Sequence, residues 1–319
     1  MYQAAVTPTR YLSQSKASIR IEELINAITK TDEPAFYITL NKGGYEQATP
    51  SSLSERFNDI RQFINSFSDN YTYSEHLHVF KTACQDINLE LYPLGPTCLD
   101  ATGTHYLSFH QSMNTLVRRI RDLTGTLDYR RKAVTRRYQA KKNTARLDQY
   151  VNAVLKRYSR TVVVRVDLHY LGFLDRLLRI EDLYADLTTL IRARERDPIF
   201  KHETGYAWSV EQGVDKGFHV HMAFFFNGSH VRNDWNKAKE IGNLWEQITG
   251  KRGYYFNCNA DKSRYGKNIG VGPVQRADAQ ACQNVVNAMR YLAKDDQHLR
   301  LKPAGARTFG TGQLNCQAE

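Results

Sequence analysis

The sequence has no apolar run approaching the roughly 20 residues that cross a bilayer. Its longest candidates, Val162–Val164 and Met222–Phe226, are strand-sized. The opening MYQAAVTPTR has no apolar stretch followed by a small-residue cleavage site, so a secretory leader is not expected. Cysteine is sparse. Cys84, Cys98, Cys258, Cys282 and Cys316 are scattered, odd in number and without a CxxC pair. That argues against a disulfide scaffold or a zinc ribbon and for reduced, buried thiols in a cytoplasmic protein. No GxxxxGK[ST] occurs, which excludes a built-in helicase of the P-loop type. No internal repeat or low-complexity tract is present either.

What remains is a chain of 319 residues, 41% hydrophobic and 24% charged, long enough to bury one large core or two ordinary ones. Lys and Arg number 44 against 33 Asp and Glu, a formal net charge of +11. A polyanionic partner is expected: nucleic acid first, an anionic membrane surface second. The excess is local. Between Arg118 and Arg165 stand 15 Lys and Arg and three acids, Asp122, Asp128 and Asp148, so this block holds the whole surplus. A run of charge is commonly a solvated helix face. Concentrated like this, it makes Arg130, Arg131, Lys132, Arg136, Arg137, Lys141, Lys142 and Arg165 candidates for offsetting backbone phosphates.

Helical periodicity dominates residues 1–150. In 51–67 the apolar residues Leu53, Phe57, Ile60, Phe63, Ile64 and Phe67 fall close to helical spacing, and 110–125 repeats the pattern and stops at Gly125. The polar block 126–160 reads as a long exposed helix or a linker. From Thr161 the texture changes to strands. TVVVRVDLHY (161–170) alternates, with Val162, Val164, Val166 and Leu168 toward a core and Val163, Arg165, Asp167 and His169 on the other face. A helix is expected over 174–196, strands over 206–211 and 217–228, a helix over 230–250 and a strand over 253–259. A last helix over 278–297 has Val285, Ala288, Met289 and Leu292 on one stripe. The order β-α-β-β-α-β-α is that of a split βαβ, ferredoxin-like sheet with its middle strands in an antiparallel hairpin. The fold class is therefore α+β: an antiparallel sheet with flanking helices over 155–310, preceded by a mostly helical region over 1–150.

Chemistry concentrates at His219-Val220-His221, inside an apolar strand. Strand side chains alternate, so both imidazoles leave the same face, about 7 Å apart. Two hydrogen-bonded histidines would look the same. Glu211, however, stands near the end of the preceding strand, and a register setting it opposite His219 adds a carboxylate to the two nitrogens. Two His and one carboxylate with open positions suit Mg²⁺, Mn²⁺ or Zn²⁺. In that register Tyr206, Trp208 and Val210 face the core, and Ala207 and Ser209 leave room beside the carboxylate. On the last helix Tyr291 and Lys294 are neighbours at i and i+3, a nucleophile beside an ammonium. Trp208, Trp235 and Trp245 read as core. Exposed aromatics such as Tyr254 and Tyr255 are candidates for base stacking.

FHVH in a hydrophobic strand, a Glu eight residues before it and a later YxxK together resemble the HUH endonucleases. More closely, WSVEQGVDKGFHVHMAFFFNG (208–228) with MRYLAKDDQ (289–297) is similar to the replication initiators of filamentous phages and related prophage elements. The resemblance covers about residues 155–310. It implies a rolling-circle initiator that nicks and rejoins single-stranded DNA, with His219, His221 and Glu211 as ligands of Mg²⁺ or Mn²⁺. It further implies Tyr291 as the nucleophile that takes a 5′-phosphate and Lys294 as its helper. Single-stranded or hairpin origin DNA, a host helicase and a host polymerase are the implied partners, in the cytoplasm of a bacterial host. The first strand, VVVRVDLHY, lacks the Thr-rich motif of many such initiators, so Arg165, Asp167 and His169 are expected to line the site or the DNA path. No second Tyr follows Tyr291 by four residues. A transposase or relaxase of the same superfamily, a basic DNA-binding protein with structural histidines, and a hydrolase using activated water are the alternatives.

Overall fold

Ser13 starts the first helix: its hydroxyl accepts from the Lys16 amide and caps α1 (Gln14–Ile28), whose Ile21, Leu24, Ile25 and Ile28 form one buried stripe. The computed structural model describes residues 11–174, 176–293 and 298–313. They form two compact units, one running to Val134 and including Arg300–Ala304, the other running from Thr135 to Leu299 and resuming at Gly305. The division falls inside the basic block, earlier than the change of texture at Thr161.

In the first unit the hairpin β1 (Phe36–Leu40) and β2 (Glu46–Pro50) follows α1. The expected 51–67 helix is broken. A 3₁₀ turn at Ser54–Phe57 and a short α2 (Ile60–Ile64) are separated by Asn58 and Asp59, and Asp59 pairs with Arg20 of α1. Leu53, Phe57, Ile60 and Phe63 are nonetheless buried, as their spacing requires. Next come β3 (Tyr71–Tyr73), α3 (Glu75–Asp86), the small hairpin β4 (Glu90–Tyr92) and β5 (Gly95–Thr97), and α4 (Phe109–Thr124). Ser108 and Gln111 close a capping box at the start of α4, and Gly125 caps its end. The segment Leu301–Pro303 returns to pair with β3, and Arg300 pairs with Glu22.

The polar block 126–160 is α5 (Leu127–Arg157), a helix rather than a linker. Its buried residues, Leu147, Tyr150, Val151, Val154 and Leu155, all lie in its second half. The second unit continues with β6 (Arg160–Tyr170), α6 (Ile180–Ala193), β7 (Glu203–Gly213), β8 (Gly217–Asn227), α7 (Asp234–Ile248), β9 (Gly253–Asn257), β10 (Gly272–Gln275) and α8 (Ala279–Arg290). Asn233 caps α7 and Asp278 caps α8. The last helix is shorter than the expected 278–297: it ends at Arg290 and passes into a 3₁₀ turn, Tyr291–Ala293. Counting Leu301–Pro303 as β11, the final strand is β12 (Phe309–Thr311).

The sheet runs β9–β6–β8–β7, antiparallel at every step, which is the split βαβ order expected from the sequence. Two additions extend it. β10 pairs with the first residues of β6, on the edge that β9 shares, and β12 pairs with β7. The expectation that one face of β6 is core and the other polar needs correction, because both faces are covered. Val162, Val164, Val166 and Leu168 lie on the side of α7. Val163, on the opposite face, joins a cluster with Ala207, Ala223 and Phe225 under Val151 and Val154 of α5 and Val285, Val286 and Met289 of α8. Of the three tryptophans, Trp208 and Trp245 are core and Trp235 is exposed. Among the described residues, no helix is long and apolar enough to cross a membrane.

Candidate functional site

The β7–β8 register sets Glu211 opposite His219 and Ser209 opposite His221. β6 places Asp167 opposite His221, and β9 places Phe256 opposite Asp167 and Tyr254 opposite His169. Ser209, His221, Asp167 and Phe256 thus form one row across four strands. Glu211, His219, His169 and Tyr254 form the next row toward the hairpin, with His169 stacked on His219 at 5.4 Å between ring centroids.

Three potential ligand atoms converge in these rows. Glu211 Oε2 lies 3.2 Å from His221 Nε2 and 3.9 Å from His219 Nε2. All three residues are buried, and one donor atom from each lies within 4.8 Å of the others. The opposite ring nitrogens fix the tautomers. His219 Nδ1 is 3.1 Å from the Gly217 carbonyl and His221 Nδ1 is 2.6 Å from Asp167 Oδ1, so each Nδ1–H donates outward and each Nε2 lone pair faces the cluster. Both Nε2 atoms are buried without a hydrogen-bond partner among the described residues. Two orphaned lone pairs beside a carboxylate are costly to bury and fit a divalent cation. Ser209 Oγ donates to Glu211 Oε1 over 3.2 Å and holds that carboxylate in place.

Glu211 and Asp167 bring two carboxylates against the single guanidinium of Arg165, whose Nη2 is 3.4 Å from Asp167 Oδ1. Burial opposes a charged Asp167, but the His221 hydrogen bond and Arg165 outweigh it and hold the carboxyl well below its usual range. Burial likewise opposes a charged His221, and the same Asp167 together with Glu211 overcomes it, so its pKa is raised. His219 is lowered by burial and then by its neighbour His221. His169 is pushed down to about 3, by burial first and His219 second. Cys258 is pushed up to about 12 by burial, then Asp167, as an inert buried thiol should be.

Tyr291 is brought to this centre. Leu292 and Ala293 are buried in the core cluster and anchor the 3₁₀ turn, leaving the half-buried Tyr291 ring edge-on to His221 at 5.4 Å. The Arg165 guanidinium sits 4.9 Å from the same ring centroid. Lys294, expected beside Tyr291, lies outside the described residues. Asp167, expected to line the site or the DNA path, lies at the site as the acceptor that orients His221. No local motif marks that role: it follows from the β6–β8 register, which joins residues 54 apart in sequence. His169 lies in the site, packed between His219 and Tyr254. Along α5, Arg130, Arg131, Arg137, Lys141 and Lys142 are exposed, Arg136 is half-buried, and Lys132 pairs with Asp128 at 2.9 Å. Among the described residues, Arg165 of β6 is a cation paired within the cluster, through Asp167.

Fold and centre together define an α+β domain carrying a buried dihistidine–carboxylate group on the face of an antiparallel split-βαβ sheet. Over residues 125–312, from two residues before the start of α5 to the residue after β12, the sequence matches the family model of the YagK/YfjJ C-terminal domain, and the chain belongs to that family. No curated protein and no solved structure matches it.

Proposed function

We propose that the second unit is a metal-assisted enzyme that nicks and rejoins single-stranded DNA, with Tyr291 as the nucleophile, serving as a rolling-circle replication initiator. The observation that carries this reading is the placement of the Tyr291 ring against His221 and Arg165, at the edge of the Glu211, His219 and His221 group. Glu211, His219 and His221 would hold Mg²⁺ or Mn²⁺, which supplies Lewis-acid polarisation of a phosphate oxygen when bound. Arg165 offsets the charge of the phosphate and favours the phenolate of Tyr291. The Tyr291 hydroxyl gives up its proton and its oxygen bonds to phosphorus. The bond from phosphorus to the 3′-oxygen breaks, and that oxygen takes up a proton and leaves as a 3′-hydroxyl. The DNA stays joined to Tyr291 through its 5′-phosphate, and the 3′-hydroxyl is free to prime synthesis. Attack by a 3′-hydroxyl on the phosphotyrosine reverses the step and restores Tyr291, so the cycle needs no ATP. Lys294 is the expected helper. The cations of α5 would track the phosphates of an origin strand or hairpin, while a host helicase and polymerase act on the same DNA in the bacterial cytoplasm. A transposase or relaxase would share this chemistry and differ in its DNA.

The test uses labelled single-stranded oligonucleotides from the DNA flanking the gene, with Mn²⁺, resolved on a denaturing gel. The expected result is a covalent protein–DNA adduct and religated product, both reduced to background in Tyr291→Phe and His219→Ala. Cleavage without an adduct would assign the attack to water. Binding without cleavage across the panel would return the histidines to a structural role.

A further inference from the structure

Strand β9 carries more apolar ring surface into solvent than its place beside a charged centre explains. Tyr254 and Phe256 are 40% and 44% exposed. They alternate with Tyr255, whose ring packs so closely on Gly242 of α7 that no side chain would fit there. That contact fixes the face each residue takes. Tyr255, read from sequence as a stacking candidate beside Tyr254, is turned to the helix, and Tyr254 and Phe256 are turned to the rows of the site. Scattered exposed aromatics are ordinary on a protein surface. These two are continuous with the centre. His219, His169 and Tyr254 form one stacked column, with successive centroids 5.4 and 5.1 Å apart and interplanar angles of 24° and 22°. At the next position the exposed Arg264 guanidinium lies 4.6 Å from the Phe256 centroid. Among the described residues β9 pairs with no strand other than β6, so its outer edge carries no further strand.

We propose that Tyr254 and Phe256 form a base-stacking ledge that holds single-stranded DNA beside the Glu211, His219 and His221 centre, with Arg264 countering the adjoining backbone phosphate. The choice of DNA as the strand rests on the nicking reading. Alternate residues of a strand are about 7 Å apart. That is about twice the 3.4 Å rise per nucleotide of a duplex strand, so bases seated on successive rings would belong to a strand drawn out beyond duplex spacing. Aromatic faces accept any base, so the ledge adds affinity and sets the strand's path without reading its sequence.

The test is equilibrium binding of fluorescein-labelled oligonucleotides by fluorescence anisotropy, in EDTA and in the Tyr291→Phe background, so that neither metal nor chemistry enters. Tyr254→Ala and Phe256→Ala should each weaken binding roughly tenfold, with the salt dependence unchanged because no phosphate contact is lost. Tyr254→Phe and Phe256→Tyr should bind like the parent, which separates lost stacking from lost folding. An oligonucleotide carrying abasic sites should bind the parent more weakly than the intact one and bind the alanine variants no differently. Equal affinity of parent and alanine variants, or no preference for intact over abasic DNA, would overturn the ledge. If nicking fails while the preference for bases remains, the nicking reading falls and the ledge stands. If nicking succeeds and the preference is missing, the ledge alone falls.

Discussion

Two halves of one sheet face have opposite chemistry. Toward the N-terminal end of β6, Val163, Ala207, Ala223 and Phe225 are sealed under α5 and α8. A few residues further along the same strands, His169, Ser209, Glu211, His219 and His221 fill buried positions with polar groups, beside the half-buried Asp167. The first half is held by removal of apolar surface from water and tolerates no gap. The second is held by directed bonds, with Arg165 and His221 both donating to Asp167 and His219 donating to the Gly217 carbonyl, and it leaves Arg165 Nε, His169 Nδ1 and the Nε2 atoms of His219 and His221 without hydrogen-bond partners among the described residues. Burial alone does not distinguish structure from site. The distinction lies in whether each buried polar atom has a partner.

The largest effect should come from the apolar half. Phe225→Ala opens a cavity in a fully buried cluster and should cost about 3–5 kcal/mol of stability, read from urea unfolding followed by circular dichroism. The same variant should leave the affinity for Mn²⁺ unchanged at temperatures where it is folded. A large loss of metal affinity there would erase the proposed separation of the two halves. Asp167→Asn should act on the site. It removes the charge that orients and polarises His221, so metal affinity measured by calorimetry should fall by roughly 10–100-fold, and because it also strips Arg165 of its carboxylate partner some stability should be lost with it.

The smallest effect concerns pH, in the metal-free protein. His169 is held neutral, pushed down to about 3, whereas a histidine in the unfolded chain titrates near 6.5. Between those values the unfolded chain binds a proton that the folded chain refuses. Stability is therefore lost as pH falls from about 6.5 toward 3. His221 has the opposite sign: its raised pKa adds stability at low pH that fades as pH rises through the folded value. His169→Gln should flatten the acid limb of a stability–pH curve, while Phe225→Ala should lower the whole curve at unchanged slope. An acid limb unaffected by His169→Gln would deny the buried, neutral state of that ring.

The register of the central hairpin was legible in the sequence. The His219-Val220-His221 pair on one strand face and the spacing from Glu211 to His219 admit few pairings, and the structure has the one that sets Glu211 opposite His219. The stripe of 110–125 and its glycine stop were equally plain. Asp167 was not, because an acid on an alternating strand looks solvent-facing until the strand opposite it is known. Nor was the burial of both sheet faces, since Val163 belongs by alternation with Arg165 and Asp167 and only α5 and α8 explain why it is apolar. The hairpin from Phe36 to Pro50 had a signal, Asn41-Lys42-Gly43-Gly44 between extended runs, that the helical texture of the region outweighed. The break between Phe57 and Ile60 left the apolar spacing intact on either side, so periodicity gave no sign of it.

Both compact units are completed late in the order of synthesis. The first needs Leu301–Pro303 to pair with β3, more than 220 residues upstream, and the second needs Phe309–Thr311 beside Ser209, two positions from Glu211. A ribosome therefore delivers about 300 residues of this sequence before either unit closes its last strand pair. Until then β7 presents an unpaired edge of the kind that invites association with other chains. Long-range closures of this sort slow folding and prolong that exposure. Messages truncated shortly before codon 300 would yield polypeptides that hold every proposed metal ligand and the tyrosine yet lack a finishing strand in each unit. For this chain, an intact set of reactive residues is no guarantee of a finished fold.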